Sequence, residues 1–294
     1  MTRANLSLPQ VKPPAPRGAL QTNRRDTWWL FPTITFIYFL SFIVYSSWAA
    51  LQGEHYWFAG PAGTEYQSQY LSPMYSPVLY SDIEREGAAP LEHAWFGPWP
   101  DWLPKSIFGI IPLTPALLIL WAPGGFRFTC YYYRGAYYKA FWGDPPNCAV
   151  GEPRKSYWGE RWLPLVLMNV HRYFLYLALI FIGILSYDAI ISYIFIDAEG
   201  NKHFGIGVGS IVLTLNAVLL AFYTFGCHSL RHLIGGKKDC VSSNKAQYQA
   251  YQCVSCLNRW HMQWAWISLF WVGFADVYVR LCSMGIWTDY RIVF

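Results

Sequence analysis

The sequence predicts an all-α integral membrane protein, a bundle of five transmembrane helices. Its N-terminus is predicted to be cytoplasmic, and a long outer loop joins helices 1 and 2. Three observations carry this prediction. The 294-residue chain is 54% hydrophobic and 19% aromatic but only 13% charged, where a soluble domain usually has about 25% charged residues. The apolar residues gather in five stretches, at about 29–51, 106–133, 163–195, 205–230 and 261–286. Each approaches or exceeds the roughly 20 residues that cross a bilayer. Basic residues then fall on one side of such a five-span path, which is the cytoplasmic side by the positive-inside rule.

The arm 1–27 carries Arg3, Lys12, Arg17, Arg24 and Arg25, and residues 8–18 (LPQVKPPAPRG) are Pro-rich and polar, not a signal peptide. Residues 28–294 form one membrane domain that includes the outer loop 52–104. Trp28 and Trp29 open helix 1, and with Trp162 and Trp260 they read as interfacial anchors. The outer loop holds seven acidic residues against Arg85 alone and is expected to cover the outer helix ends. Its His55 and His93, and His203 in the loop between helices 3 and 4, are expected to be solvated. Helix 2 is interrupted at Pro123-Gly124-Gly125, with Arg127 next. Irregular backbone at membrane depth is tolerated only against protein or a cavity, so the break marks an interior point; alternatively the span ends near Ala122 and an interfacial helix starts at Phe126. Loops 142–162 and 231–259 supply the remaining basic residues, among them Arg154, Lys155, Arg161, Lys237 and Lys238.

On this topology six metal-ligand types come to the cytoplasmic half of the membrane: Cys130, His171, Cys227, His228, His232 and His261. Ionisable groups inside a membrane are expensive and mark function more often than not. His228 and His232 share a helix face at four-residue spacing. Two redox centres fit. A b-type haem needs two axial histidines, such as His171 with His228 or His232. A [2Fe–2S] cluster of Rieske pattern needs two thiolates, Cys130 and Cys227, and two imidazoles, and histidine in place of cysteine raises its potential. His171 and His228 are the first choices, with His232 and His261 next. The outer halves of the helices hold no histidine, which argues against a stacked pair of haems. Spacing alone favours haem b, because two facing histidines suffice.

Other readings are blander. Cys282 reads as packing. Cys253-x2-Cys256 is half of a zinc pattern whose other half is absent, with Cys148 and Cys240 far apart in sequence. Asp276 and Arg280 are four residues apart and can pair; a proton route through Asp276 and Asp188 is the sharper alternative. A metal transporter would need polar residues at several depths, and the outer halves offer only Asp188, Asn216 and Asp276. A purely structural anchor would leave the six ligands without a role. Nothing points to nucleic acid.

The segments PGGFRFTCYYYRGAYYKAFW, NVHRYFLY, YTFGCHSLRHLIGG and HMQWAW…ADVYVR resemble the cytochrome-b-like membrane anchor (SdhC-type) of actinobacterial-type succinate dehydrogenase. The resemblance runs from about Arg25 to the C-terminus. It implies a five-helix anchor in the bacterial cytoplasmic membrane that docks a flavoprotein subunit and an iron–sulfur subunit, and reduces quinone, expected to be menaquinone, near the docking surface. Succinate oxidation would occur on another subunit. The resemblance also implies a membrane-embedded Rieske-type [2Fe–2S] cluster in place of haem. Carried onto this chain, that selects Cys130 and Cys227 with two of the four histidines. Hydrogen-bond donors for a quinone carbonyl are expected among Trp28, Tyr131, Arg134, Arg172 and Tyr173.

Overall fold

The computed structural model describes residues 18–61, 64–154, 162–163, 165–236 and 238–294. Most of the predicted arm, with Arg3, Lys12 and Arg17, and the loop cations Lys155, Arg161 and Lys237 lie outside the described residues. From the arm, residues 20–28 run beside 147–151: Leu20 N–H donates to the Gly151 carbonyl at 2.8 Å and the Asn147 side chain donates to the Trp28 carbonyl at 2.8 Å. That contact holds two of the predicted basic segments at one end of the molecule.

Helix α1 spans Leu30–Gln52 and has no charged residue; it buries only Ala49 and Ala50, while Phe31, Ile37, Tyr38 and Val44 face outward. An apolar helix with so little of its surface covered by protein is a lipid-facing helix. Gly53 stops it at φ +68°, a left-handed conformation suited to glycine. The following stretch packs against the end of the bundle. It contains short strands β1 (Trp57–Phe58), β2 (Tyr66–Gln67) and β3 (Tyr70–Leu71), then β4 (Ser106–Ile107) and β5 (Ile111–Pro112). Buried Tyr56, Tyr75, Met74 and Val78 form its own core with Ala49 and Ala50. The Tyr75 hydroxyl donates to the Ala49 carbonyl at 2.7 Å and accepts from Gly53 N–H at 2.9 Å, completing the end of α1.

The second predicted span, 106–133, is not one helix. It is divided into α2 (Pro115–Ile119), α3 (Trp121–Phe128) and α4 (Tyr131–Ala136), followed by a π-helical turn at Tyr137–Phe141. Pro123 has no N–H to donate into the turn before it and is tolerated in the first turn of a helix, so α3 starts afresh at Trp121. The break thus falls before Pro123, and a second one falls at Thr129–Cys130. Among the described residues four helices are long and apolar enough to cross a membrane: α1, the stretch from Val166 to Ile191 that ends α5 (His171–Ile191), α6 (Val208–Phe225) and α9 (His261–Ser283).

Strands were not expected between the third and fourth spans. The predicted third helix reaches 195, but α5 stops at Ile191. Strand β6 (Ile194–Asp197) then pairs with β7 (Lys202–Gly207), whose hairpin turns at Gly200 with φ +87°. β-Branched and aromatic residues (Ile194, Phe195, Ile196) favour this extended form. Together with β2 and the C-terminal β8 (Arg291–Val293) they make an antiparallel sheet in the order β2-β6-β7-β8. The predicted fourth span, 205–230, also divides. After α6 the chain breaks at Gly226–Cys227, and α7 (His228–Gly235) follows. The predicted loop 231–259 contains α8 (Lys245–Arg259), which starts where Asn244 Oδ1 accepts from Gln247 N–H at 3.1 Å. The α7–α8 hairpin closes through Arg231, which donates to the Tyr251 hydroxyl at 2.8 Å.

Helix α6 packs between α5 and α9, and α3 packs on α5. The bundle core has two parts. One, at the sheet end, holds Cys282 as a packing residue beside Ala275, Tyr278, Val279 and Phe195. The other gathers Phe126, Cys130, Tyr133, Tyr223, Cys227 and Ala265. Asp276 is fully buried; it accepts from Tyr45 at 2.5 Å and from Ser72, and meets Arg280 at 3.4 Å. Arg280 donates onward to the Glu54 carbonyl at 2.7 Å. The pair therefore stitches α1, α9 and the loop together. His93, expected to be solvated, is instead half-buried: its ring lies 4.6 Å from that of Trp57 and its Nε2 lies 4.0 Å from Asp188. The aromatic loop covers much of the ring. His55 likewise reaches Glu86 and Ser283.

Candidate functional site

Two cysteines sit in the same local arrangement. Cys130 follows α3 and precedes α4; Cys227 follows α6 and precedes α7. Each is the extended residue between two helices, with φ −69° and ψ 128° for Cys130 and φ −65° and ψ 137° for Cys227. In this N-cap conformation the side chain turns back toward the free N–H groups of the next turn. Neither sulfur closes a cap hydrogen bond with that turn. Both thiols are buried, at 2% and 1% exposure.

Two histidines meet them. His171 is the first residue of α5. Its Nε2 lies 3.2 Å from Cys227 Sγ, its Nδ1 lies 3.0 Å from Thr129 Oγ1, and its ring stacks on Phe126 with centroids 4.5 Å apart. Thr129 already donates its hydroxyl proton to the Gly125 carbonyl at 2.7 Å, so it accepts from His171 Nδ1–H. That fixes the tautomer and leaves the Nε2 lone pair free for the sulfur side. His261 is the first residue of α9. Its Nε2 lies 3.9 Å from Cys130 Sγ, its ring stacks on Tyr223 at 5.0 Å, and its buried Nδ1 has no hydrogen-bond partner. Helices α5, α7 and α9 all begin here, and helix N-termini favour negative charge.

Among the described residues, no three His, Cys, Asp or Glu side chains meet tightly enough to hold one metal ion. The donors come instead as two Cys–His pairs, from four separate helix starts. His228 and His232 are not among them. They pack edge to face at 5.0 Å on the exposed side of α7, because the turn at Cys227 points that side away from the core. His228 is surrounded by burial of part of its ring, His232 and Arg231, all of which push its pKa down.

Beside the pairs lies an apolar cavity of about 820 Å³, lined by α1, α3, α5, α6 and α9. It runs from Phe126, Tyr133 and Tyr223 toward Ala50, Leu51 and Met74. Arg127 is the one charged residue among its described lining residues. The guanidinium donates to the Tyr133 hydroxyl at 2.8 Å, the Ala265 carbonyl at 3.1 Å and Ser268 Oγ at 2.9 Å, and lies 4.8 Å over the Tyr223 ring. No carboxylate lies within ion-pair distance of it among the described residues. Trp28, Tyr131, Arg134, Arg172 and Tyr173 do not line the cavity; Tyr131 and Tyr173 are 67% and 64% exposed, and Arg134 and Arg172 lie over Tyr131 and Tyr173. Arg127, Tyr133 and Tyr223 were not singled out as site residues from sequence, although the chain break just before Arg127 was a signal for it.

Residues 30–285 match the family model for the actinobacterial succinate dehydrogenase subunit SdhC. The chain belongs to the SdhC family. It is similar to a chain of the solved Mycobacterium smegmatis Sdh1 complex in the apo form, with 36% identity, a TM-score of 0.79, and 98% of each chain covered. A search of curated proteins finds no match. As an SdhC-family member the chain is the membrane anchor subunit of a succinate dehydrogenase, a multi-pass protein of the bacterial cytoplasmic membrane. The oxidoreductase activity belongs to the complex, and the succinate-oxidising site lies on another subunit. The two Cys–His pairs and the cavity thus lie inside a respiratory membrane anchor.

Proposed function

We propose that this SdhC-family chain is the quinone-reducing subunit, which takes electrons from the iron–sulfur subunit through a Rieske-type [2Fe–2S] centre held by Cys130, Cys227, His171 and His261. The observation that carries the reading is the meeting of two buried thiols with a buried imidazole, His261, and a half-buried one, His171, at helix starts. The donor set fits such a cluster: two thiolates and two neutral imidazole nitrogens satisfy two irons, and one imidazole is already oriented by Thr129. When bound, the cluster would accept and return one electron at a time, at a potential raised by its imidazole ligands. His261 replaces His228 in the set because His261 is buried against Cys130 and His228 is exposed.

The chain's own residues perform the rest. Both cysteines sit at helix N-termini, where the helix dipole favours thiolate charge. The apolar cavity is of a size that takes a cofactor or ligand and suits the prenyl tail of menaquinone. Arg127 sits at its inner end, held by the Tyr133 hydroxyl, which itself donates to the Ala265 carbonyl, and offers its remaining N–H donors to a quinone carbonyl within about 3 Å. Tyr131, Arg172 and Tyr173 are exposed and Trp28 and Arg134 half-buried; on the side where the iron–sulfur subunit would dock, these five would complete a headgroup site. Full reduction of the quinone takes two electrons and two protons. With the N-terminus cytoplasmic, both reach the inner end of the cavity from the cytoplasmic side.

Electron paramagnetic resonance of the purified, reduced complex tests this. The expected result is a rhombic signal of low average g, lost in Cys130→Ala, Cys227→Ala and His171→Ala. A signal that survives Cys130→Ala, or a Soret band with sharp α-bands in its place, overturns the assignment in favour of another centre, with haem b the first alternative.

A further inference from the structure

We infer that a lateral slot between α1 and α3 is the door by which quinone passes between the bilayer and the cavity, with Gly124 as its threshold. The inference rests on the proposed reading of the cavity as the quinone site. Two rows of residues frame the slot. Ile43 and Ser47 lie four apart on α1, and Gly124 and Phe128 lie four apart on α3, so each pair shares one helix face. All four line the cavity and all four are exposed. Exposed residues that also line a cavity mark where it opens, and at membrane depth it opens onto lipid. The two helices take their main packing elsewhere: α1 on α2, α9 and the π-helical turn, and α3 on α2 and α5. Both ends of the slot are closed. At one end the Tyr137 ring stacks on Phe39 of α1 at 5.8 Å and on Phe128 of α3 at 5.5 Å, and its hydroxyl donates to the Phe128 carbonyl at 3.0 Å. At the other, the Thr114 hydroxyl donates to the Ala50 carbonyl at 2.5 Å, and α2 packs on both helices.

Glycine is unfavourable within a helix, so each member of the Gly124-Gly125 pair calls for a reason. Gly125 has one in Phe174, whose ring leaves no room for a Cβ. At Gly124 a Cβ would meet nothing within 4 Å, so packing does not require glycine there. Passage does, because any side chain at this position would stand in the slot. Arg127 follows three residues on, about 4.5 Å further along α3 and on the same side of the helix. A headgroup that enters over Gly124 therefore comes within one turn of the guanidinium. Its apolar tail stays in the slot and never leaves an apolar medium. The reduced quinone leaves the same way, and no bond is made or broken at the threshold.

The test uses the whole purified complex in proteoliposomes, in wild type and in Gly124→Trp. It compares succinate-driven reduction of a menaquinone with a long prenyl tail against that of a tail-less dimethylnaphthoquinone, which has no chain to thread. Since a Cβ at this position touches nothing, the larger side chain starts in open space. The expected result is that the ratio of the tailed to the tail-less rate falls by about tenfold or more. An unchanged ratio overturns the inference and leaves the slot to a lipid chain, with the quinone reading intact. Should Gly124→Trp fail to assemble, Ser47→Trp on the facing row decides by the same ratio. A wild-type complex that reduces neither quinone overturns the quinone reading itself, and this inference with it.

Discussion

His261 and His228 are each adjacent to a helix break, yet only one of them is buried. The expected outcome of replacing each with alanine differs accordingly. His261→Ala should remove the low-g signal and lower the iron and acid-labile sulfide content of the purified complex, while His228→Ala should leave both near wild type. Arg127 gives a second contrast. A hydrogen bond from a charged donor contributes about 1.5–3 kcal/mol, so Arg127→Gln should slow succinate-driven quinone reduction by about tenfold to a hundredfold. Succinate oxidation measured with a soluble dye should stay unchanged, since that acceptor bypasses the anchor. Equal loss of both activities would mean that Arg127 serves assembly and not quinone.

At the scale of elements, α3 and α5 approach closely because Gly125 has no side chain. A Cβ there would lie 2.3 Å from the Phe174 ring. Overpacking of this kind costs about 1–3 kcal/mol, so Gly125→Ala should lower the melting temperature of the detergent-solubilised complex; an unchanged melting temperature would show that Phe174 moves aside freely. The elements also show what could be read from the chain. The long apolar runs at α1, α5, α6 and α9 were legible because lipid leaves a backbone only one way to satisfy itself. The break in the second span was legible through Pro123, though its position was not, because proline in a first turn begins a helix as readily as it ends one. The turn at Cys227 was hidden: Gly226 alone marked it, and a continuous helix through 230 turns His228 inward. That is why His228 ranked above His261. The small sheet was missed because its strands are two to six residues long and two of them, β2 and β8, pair with partners far away in sequence.

The whole molecule is asymmetric along its long axis. One end carries the two Cys–His pairs and Arg127 at the cavity; the other carries the aromatic loop, the sheet and the Asp276–Arg280 stitch. The loop end has its own pH response. Burial against Trp57 pushes the His93 pKa below its ordinary value, and Asp188 at 4.0 Å does not offset this. The unfolded loop therefore binds the proton more readily than the folded one. Stability from this group is complete above an unfolded pKa of about 6.5 and is lost as pH falls through the lower folded value. Proteolysis of residues 53–114 should accelerate between pH 7.5 and pH 5.5, and His93→Gln should flatten that dependence. At the opposite end, Cys130, His171, Cys227 and His261 come from four helix starts between residues 130 and 261, and the last of them opens α9. A nascent chain that has released only its first helices into the bilayer therefore holds one or two of these side chains and no site. The four meet only after the ribosome has released the final helix, so any cofactor they hold is inserted after translation, into a bundle that already exists.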